Sequence, residues 1–138
     1  MNINTRHFFK NFKISITWIV VVTLLSLIPT PDLKEDNIHL IPHMDKIVHF
    51  TMYFVMCSLL LFEYLRLQQK SKTKAIIAIV IFSITYGALM EIAQYELTTY
   101  RSSDYLDILA NTIGAATGLS IILYYQYIPE RIKGLLNF

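Results

Sequence analysis

The sequence predicts an all-α fold, a bundle of four transmembrane helices with both termini in the cytoplasm. The prediction rests on composition, on four apolar segments and on the distribution of basic residues along the chain. Of the 138 residues, 54% are hydrophobic and 16% are charged, whereas an ordinary soluble domain carries about 25% charged residues. A soluble chain of this length needs a large polar surface, which this composition does not provide.

Length, charge and cysteine content exclude several classes of protein. The chain suits one domain, residues 1–138. Its net charge of +2 is too small for a phosphate-binding surface, so no nucleic-acid partner is expected. The hydrophobic content excludes a disordered chain. Because Cys57 is the single cysteine, an internal disulfide is impossible and a secreted disulfide scaffold is excluded.

Four apolar segments are the predicted membrane spans, and they cover residues 14–28, 47–62, 75–90 and 108–128. A helix needs about 20 mostly apolar residues to cross a bilayer, so the first three segments are short. Flanking Lys, Glu and Tyr side chains lengthen them by reaching the interface. The first segment resembles a signal peptide, but the residues around Ser26 and Pro29 contain no small-residue cleavage site. This favours an uncleaved first span.

Basic residues predict the orientation in the membrane. Nine of the twelve Lys and Arg residues lie before the first span, between the second and third spans, or after the fourth span. Basic flanks stay in the cytoplasm, so both termini are predicted to be cytoplasmic. Eight of the ten acidic residues lie on the opposite, outer side. Acidic residues do not set topology, so their accumulation there needs another explanation.

Polar residues on three spans recur at spacings of three or four, which places them on one face of each helix. Such residues are costly in a bilayer and face the interior of a bundle. The three faces carry Lys46, His49, Tyr53 and Cys57; Ser83, Gly87, Glu91 and Gln94; and Asp104, Asp107, Asn111, Gly114 and Gly118. We expect them to converge on one pocket in the outer leaflet, closed by the loop that contains Arg101 and Asp104.

Several of these residues also have a purely structural interpretation. Gly114 and Gly118 form a G-x-x-x-G pair, and with Gly87 they are expected to serve helix packing. Asp104 and Asp107 also fit an N-cap and a first-turn acid of the fourth helix. Lys46 also fits an interface anchor, and His49 a hydrogen-bonded packing residue. The sequence leaves these alternatives open.

No metal site and no cofactor are predicted. The nearest metal-ligating side chains in sequence or predicted position are His39, His43, Asp45, His49, Asp104 and Asp107. Pro42 separates His39 from His43, so these two histidines are not assumed to share a helix face. The sequence contains no C-x-x-C or H-E-x-x-H spacing. Nucleotide-binding loops and a G-x-S-x-G nucleophile motif are absent as well.

The polar motifs of the last three predicted spans resemble those of the VanZ-like family. They are Asp45-Lys46-Ile47-Val48-His49-Phe50 with Tyr53, Glu91-Ile92-Ala93-Gln94, Arg101-Ser102-Ser103-Asp104, and Asp107-Ile108-Leu109-Ala110-Asn111-Thr112-Ile113-Gly114 with Gly118. The resemblance implies a small multi-pass protein of the bacterial cytoplasmic membrane and cell envelope. The named member of this family is associated with resistance to the glycopeptide antibiotic teicoplanin, and the resemblance supplies no biochemical mechanism.

We considered three functions for the predicted pocket. The first is binding or modifying an outer-leaflet amphiphile, which would be a membrane lipid, a lipid-linked envelope molecule or a glycopeptide. Lys46 and Arg101 would then hold a phosphate or carboxylate group. The full set of predicted ligand-binding residues is Lys46, Tyr53, Gln94, Arg101, Asp104 and Asn111.

The second function is an integral-membrane enzyme that acts on a lipid head group. His49 would be the general acid and base, because imidazole titrates near neutral pH, and Asp45 or Asp107 would orient it. Glu91 completes the set of predicted catalytic residues with His49 and Asp107. The third function is a non-catalytic structural or assembly module, in which the same residues form a buried network. The sequence defines neither the ligand nor the oligomeric state.

Overall fold

The computed structural model describes residues 9–28, 43–67, 73–97 and 104–127. Its four main helices are α1 (Lys13–Leu27), α2 (Met44–Leu67), α3 (Thr73–Leu97) and α4 (Tyr105–Tyr127). A short helical stretch at residues 9–11 precedes α1. The described ranges contain no strand, which confirms the predicted all-α fold class.

Three of the four helices are long and apolar enough to cross a membrane. By length and composition these are α2, α3 and α4. The 24 residues of α2 correspond to a length of about 36 Å at the helical rise. Helix α1 is apolar but has only 15 residues, fewer than the roughly 20 that a span requires. The segment from Pro29 to Pro31, which we predicted to end the first span, lies outside the described residues.

The helices extend beyond the uncharged segments from which they were predicted. Lys46 lies in the first turn of α2 and Glu63 in its last turns, and Glu91 lies inside α3. Each of these charged side chains contacts polar groups of a neighbouring helix. The charges are therefore part of the helix contacts, and the apolar segments alone give helix boundaries that are too short.

The surface of the bundle is apolar and much of its interior is polar. On α3, for example, Ile81 and Leu89 are exposed, while Ser83, Glu91 and Gln94 are buried. A water-soluble helix has the opposite arrangement. Helices in a membrane instead pack through small residues and polar contacts and leave their apolar side chains to the lipid. The distribution of side chains thus agrees with the apolar helices in indicating a membrane protein.

Helices α2 and α4 form the most extensive contact of the bundle. They approach each other closely at two glycines of α4. A Cβ atom added at Gly118 would lie 2.8 Å from the carbonyl oxygen of Phe54, and one added at Gly114 would overlap the carbonyl oxygen of Phe50. Only glycine permits this separation of the two backbones. The close contact brings the polar faces of α2 and α4 together.

Helix α1 is attached to α2 by hydrogen bonds near its N-terminus and in its middle. Near its N-terminus, the buried Glu63 carboxylate accepts hydrogen bonds from the backbone N–H groups of Ile14 and Ser15, at 3.2 and 3.0 Å, and from the Ser15 hydroxyl. In its middle, Trp18 Nε1 donates to the carbonyl oxygen of Met52 at 3.0 Å. These contacts fix α1 against α2 and leave its C-terminal end beside the polar residues of α2 and α3.

Candidate functional site

The C-terminal ends of α1 and α3 and the N-terminal ends of α2 and α4 meet at one end of the bundle, which we call the polar end. Alternating helix directions place them there. The polar cluster at this end consists of Lys46, His49, Tyr53, Glu91, Gln94, Asp104, Asp107 and Asn111. Its buried imidazole and carboxylate residues are His49, Glu91 and Asp107, which are 5%, 3% and 8% exposed. Buried polar groups of this kind need partners within the protein.

Lys46 lies among three carboxylates. Its ammonium nitrogen is 2.7 Å from Asp104 Oδ2, 3.0 Å from Asp45 Oδ2 and 3.1 Å from Asp107 Oδ1. An ammonium group has three donors, and three carboxylate oxygens surround this one. Lys46 therefore links α2 to the start of α4 and presents no donor to an anionic ligand in this arrangement.

Asp104 has the N-cap role that the sequence left open and also pairs with Lys46. Its Oδ1 accepts a hydrogen bond from the backbone N–H of Leu106 at 2.9 Å, so the side chain caps α4. Its Oδ2 accepts the hydrogen bond from Lys46. The Lys46 ammonium and the Leu106 N–H both favour the charged carboxylate, and they hold the pKa of Asp104 below its ordinary value of 3.8.

His49 joins the three long helices through Glu91 and Asn111. His49 Nδ1 lies 3.2 Å from Glu91 Oε1 and 3.2 Å from Asn111 Oδ1. Asn111 Nδ2 in turn donates to Glu91 Oε1 at 3.3 Å. Because Nδ1 faces two oxygen acceptors, these hydrogen bonds require the tautomer that carries its hydrogen on Nδ1. A ligating atom of Asp107 also lies within 4.8 Å of those of His49 and Glu91.

Tyr53 is the most deeply buried residue of the polar cluster on α2, with 1% of its surface exposed. Its hydroxyl has no hydrogen-bond partner in the described part of the chain. The ring lies beside Gly87 and Asn111: a Cβ atom added at Gly87 would be 3.1 Å from Tyr53 Cε1 and 3.1 Å from Asn111 Cβ. The missing side chain of Gly87 thus provides the space in which Tyr53 and Asn111 pack against α3.

A cavity of about 350 Å³ opens beside His49. It lies between the C-terminal ends of α1 and α3 and the N-terminal part of α2. Its lining residues are Leu25, Ser26, Met44, Asp45, Val48, His49, Met52 and Gln94. Gln94 Nε2 donates to the carbonyl oxygen of Ser26 at 3.0 Å and so connects α3 with α1 at the wall of the cavity. The cavity has both apolar and polar walls.

The structure describes eight of the predicted catalytic and ligand-binding residues, and these eight form the polar cluster. Seven of them lie in two adjoining groups around Lys46 and His49. The eighth, Gln94, lies at the neighbouring cavity. Arg101, also predicted to bind ligand, lies outside the described residues, as does His39. The partner of His49 differs from our expectation. We expected Asp45 or Asp107 to orient its ring; the contacts at 3.2 Å are with Glu91 and Asn111, and Asp107 lies within 4.8 Å. Asp45 instead contacts Lys46.

Residues of α1 that line the cavity were missed by the sequence analysis, and Ser26 is the main one. It is buried, as is Ser15 on the same helix. The spacing of eleven residues between them corresponds to three helical turns and places both on one face. This pair of small polar residues in an apolar helix was the available signal that α1 also presents a face to the bundle.

The family model of VanZ/LLP1 matches residues 1–126 of the chain. The matched range contains the whole polar cluster and the residues that line the cavity. Comparisons with curated proteins and with solved structures give no match. Since the family model covers far more than half of the chain, the resemblance noted in the sequence is confirmed: this protein belongs to the VanZ/LLP1 family.

Proposed function

We propose that this membrane protein of the VanZ/LLP1 family binds an amphiphile at the polar end of its bundle. The cavity beside His49 carries the proposal. Its volume of about 350 Å³ falls in the range of about 300–1,000 Å³ that is usual for ligand sites. The apolar tail of the ligand would lie against Leu25, Val48 and Met52, and the head group would contact the polar cluster.

The chemistry of the cavity favours a head group that carries hydroxyl or ammonium groups. Asp45 contributes a carboxylate and Gln94 an amide to the lining. Lys46, which we first considered as an anion-binding residue, is surrounded by three carboxylates and is already paired. Hydroxyl and ammonium donors suit such acceptors, whereas a phosphate group would depend on Arg101.

The distribution of basic residues supports an outer-leaflet position for the proposed site, and family membership supports a bacterial cytoplasmic membrane. With both termini in the cytoplasm, the starts of α2 and α4 lie on the outer side. Lipid-linked wall precursors and lipid-bearing glycopeptides are amphiphiles that can reach this leaflet. A role in teicoplanin resistance would follow if the protein altered the access of the antibiotic to its target.

Filling the cavity tests this proposal. The probe is a phosphatidylethanolamine with a fluorescent acyl chain, and its binding to the detergent-purified chain is measured by fluorescence polarisation. We expect Val48→Trp, in the cavity wall, to weaken binding at least tenfold. The matched control is Val20→Trp, because Val20 is an exposed valine of α1 that does not line this cavity. Equal affinity of the two variants would contradict amphiphile binding in the cavity.

A membrane enzyme acting on a lipid head group is the second candidate, and the pairing of His49 with Glu91 favours it. A carboxylate 3.2 Å from the imidazole nitrogen holds the ring in place, as the partner of a general acid and base does. His49 also lines the cavity, and water would be the attacking group. Mass spectrometry of lipids from cells that express the wild type or His49→Ala distinguishes the two functions. Identical lipid profiles would exclude catalysis by His49 on these lipids.

A further inference from the structure

Two groups of metal-ligating side chains lie at the polar end, and they differ in their surroundings. The outer group is Asp45, Asp104 and Asp107. The Lys46 ammonium lies among these carboxylates, with contacts of 2.7–3.1 Å, and serves as their cation; Asp107, which it contacts through Oδ1, belongs to both groups. The second group, which we call the inner triad, is His49, Glu91 and Asp107, and all three residues are buried.

We propose that the inner triad binds a divalent transition-metal ion and that Zn²⁺ is the ion that it fits best. Imidazole nitrogen and carboxylate oxygen are both common zinc ligands. Three protein ligands with an open fourth position are typical of catalytic zinc sites. The combination of an imidazole with two carboxylates also separates this site from Mg²⁺ and Ca²⁺ sites, which are built from oxygen ligands.

The spacing of the ligand atoms fits an ion between them. Atoms bound at about 2.0–2.2 Å to a tetrahedral ion lie about 3.5 Å apart. His49 Nδ1 and Glu91 Oε1 are 3.2 Å apart, and the ligating atoms of the whole triad lie within 4.8 Å of one another. Asn111 Oδ1, 3.2 Å from His49 Nδ1, is a further oxygen at the same place. Small side-chain shifts are enough to bring these atoms into coordination.

The buried Tyr53 hydroxyl is a second observation in favour of a ligand. Of the three buried hydroxyls without a partner in the described residues, those of Tyr53, Ser58 and Tyr64, only that of Tyr53 lies one helical turn from His49. It has no hydrogen-bond partner among the described residues, and such a buried group requires an explanation, commonly a bound water or ion. Tyr53 follows His49 by one helical turn on the same face of α2 and interacts electrostatically with Glu91. A water molecule on the open position of the ion would supply the missing partner.

The three residues of the inner triad lie on three separate helices, α2, α3 and α4. None of these ligands lies in a loop. Metal binding through His49 Nδ1 would require the tautomer that carries its hydrogen on Nε2. The inference goes beyond amphiphile binding and does not depend on it. If the protein binds both an amphiphile and a metal ion, the ion lies beside the cavity, because His49 belongs to the inner triad and also lines the cavity.

Zinc binding is tested on the full chain, purified in detergent with an affinity tag that contains no histidine. After removal of bound metal with a chelator, ZnCl₂ is titrated by isothermal titration calorimetry. We expect one Zn²⁺ per chain. His49→Gln and Glu91→Gln should each weaken binding by at least about 100-fold, since the loss of an outer-shell partner alone costs about 10–100-fold.

Two matched controls separate the site from general effects. His43→Gln removes an exposed histidine near the start of the same helix, and Glu63→Gln alters a buried glutamate at the opposite end of the bundle. Both variants should keep wild-type zinc affinity. If the wild type binds no Zn²⁺, or if the controls lose as much affinity as the triad variants, the proposal is wrong.

A second measurement covers the case in which a triad variant does not fold. Co²⁺ replaces Zn²⁺ in many sites and gives visible absorption bands that report its ligands. The bands should form with the wild type and be changed in Asp107→Asn, which preserves side-chain shape. Circular dichroism gives the helix content of each variant. Identical Co²⁺ spectra for the wild type and folded Asp107→Asn would overturn the assignment of Asp107 as a ligand and with it the inner triad.

Discussion

The two ends of the bundle each contain a buried glutamate of a long helix, but the two residues differ in what surrounds them. At one end, Glu63 accepts hydrogen bonds from the first turn of α1 and completes a helix contact. At the polar end, Glu91 lies beside a histidine, an amide and a second acid, next to a buried tyrosine hydroxyl and a cavity. A buried charge therefore indicates a site only when its surroundings contain more than the fold requires.

The largest effect on stability is expected at the Glu63 end. Glu63→Ala removes the acceptor of the part-buried Ile14 N–H group and of the buried N–H and hydroxyl groups of Ser15. The free energy of unfolding should fall by about 3 kcal/mol, because each unsatisfied buried group costs about 1–3 kcal/mol. Thermal unfolding in detergent, followed by the fluorescence of Trp18 in α1, measures this change.

Glu96→Ala is the control for that experiment, because Glu96 is exposed near the end of α3. Surface substitutions of this kind change stability by about 0.5 kcal/mol or less. Equal stabilities of Glu63→Ala and Glu96→Ala would show that Glu63 does not hold α1, and the contrast between the two ends would disappear.

An intermediate effect is expected where α1 and α3 meet at the cavity. Gln94→Leu removes the hydrogen bond to the Ser26 carbonyl and should cost about 1 kcal/mol of stability. Binding of the fluorescent phosphatidylethanolamine should fall as well, at least fivefold, because Gln94 is a polar group of the cavity wall.

Thr23→Val separates the loss of stability from the loss of amphiphile binding. Thr23 shares a hydrogen bond with Tyr86, between the same two helices, but it does not line the cavity. Its loss of stability should resemble that of Gln94→Leu, while amphiphile affinity should stay at the wild-type value. Parallel losses of affinity in both variants would mean that binding follows the general stability of the α1–α3 contact.

The smallest effect is expected from the ion pair of Asp104. Its folded-state pKa is lowered by Lys46, so the pair contributes stability above the ordinary pKa of 3.8 and loses it as the pH falls through the lower folded-state value. Stability measured from pH 6 to pH 2 should therefore decrease less in Asp104→Asn than in the wild type. Identical pH profiles would show that Lys46 does not stabilise the charged form of Asp104.

Helical periodicity alone predicted which faces of the long helices turn inward. His49 and Tyr53 on α2, Glu91 on α3 and Asn111 on α4 are all buried, because residues three or four apart share one side of a helix. The distribution of Lys and Arg residues and the alternating directions of the helices also predicted that these residues share one end of the bundle. The end of the bundle at which a residue lies depends only on the topology, and short loops between consecutive helices leave few topologies possible.

The partners of these residues were not predictable from spacing. Whether His49 contacts Asp107 on α4 or Glu91 on α3 depends on how these helices are rotated and shifted relative to α2. The spacing of residues along one helix contains no information on these small rotations and shifts. Glu63 was taken as the polar limit of an apolar segment, although it caps a helix that lies 48 residues earlier in the chain. Helical periodicity shows which face of a helix makes contacts, but it does not show which residue of a distant helix lies opposite that face.

The most direct test of amphiphile binding is a map of photo-cross-linking in membranes. A phosphatidylethanolamine with a photoreactive acyl chain is activated in vesicles that contain the protein, and mass spectrometry identifies the modified residues. We expect adducts to be enriched at Leu25, Val48 and Met52, and to be lost from them in Val48→Trp. Adducts spread evenly over lipid-facing residues such as Ile77 and Ile81, and unchanged by Val48→Trp, would contradict a ligand site at the polar end.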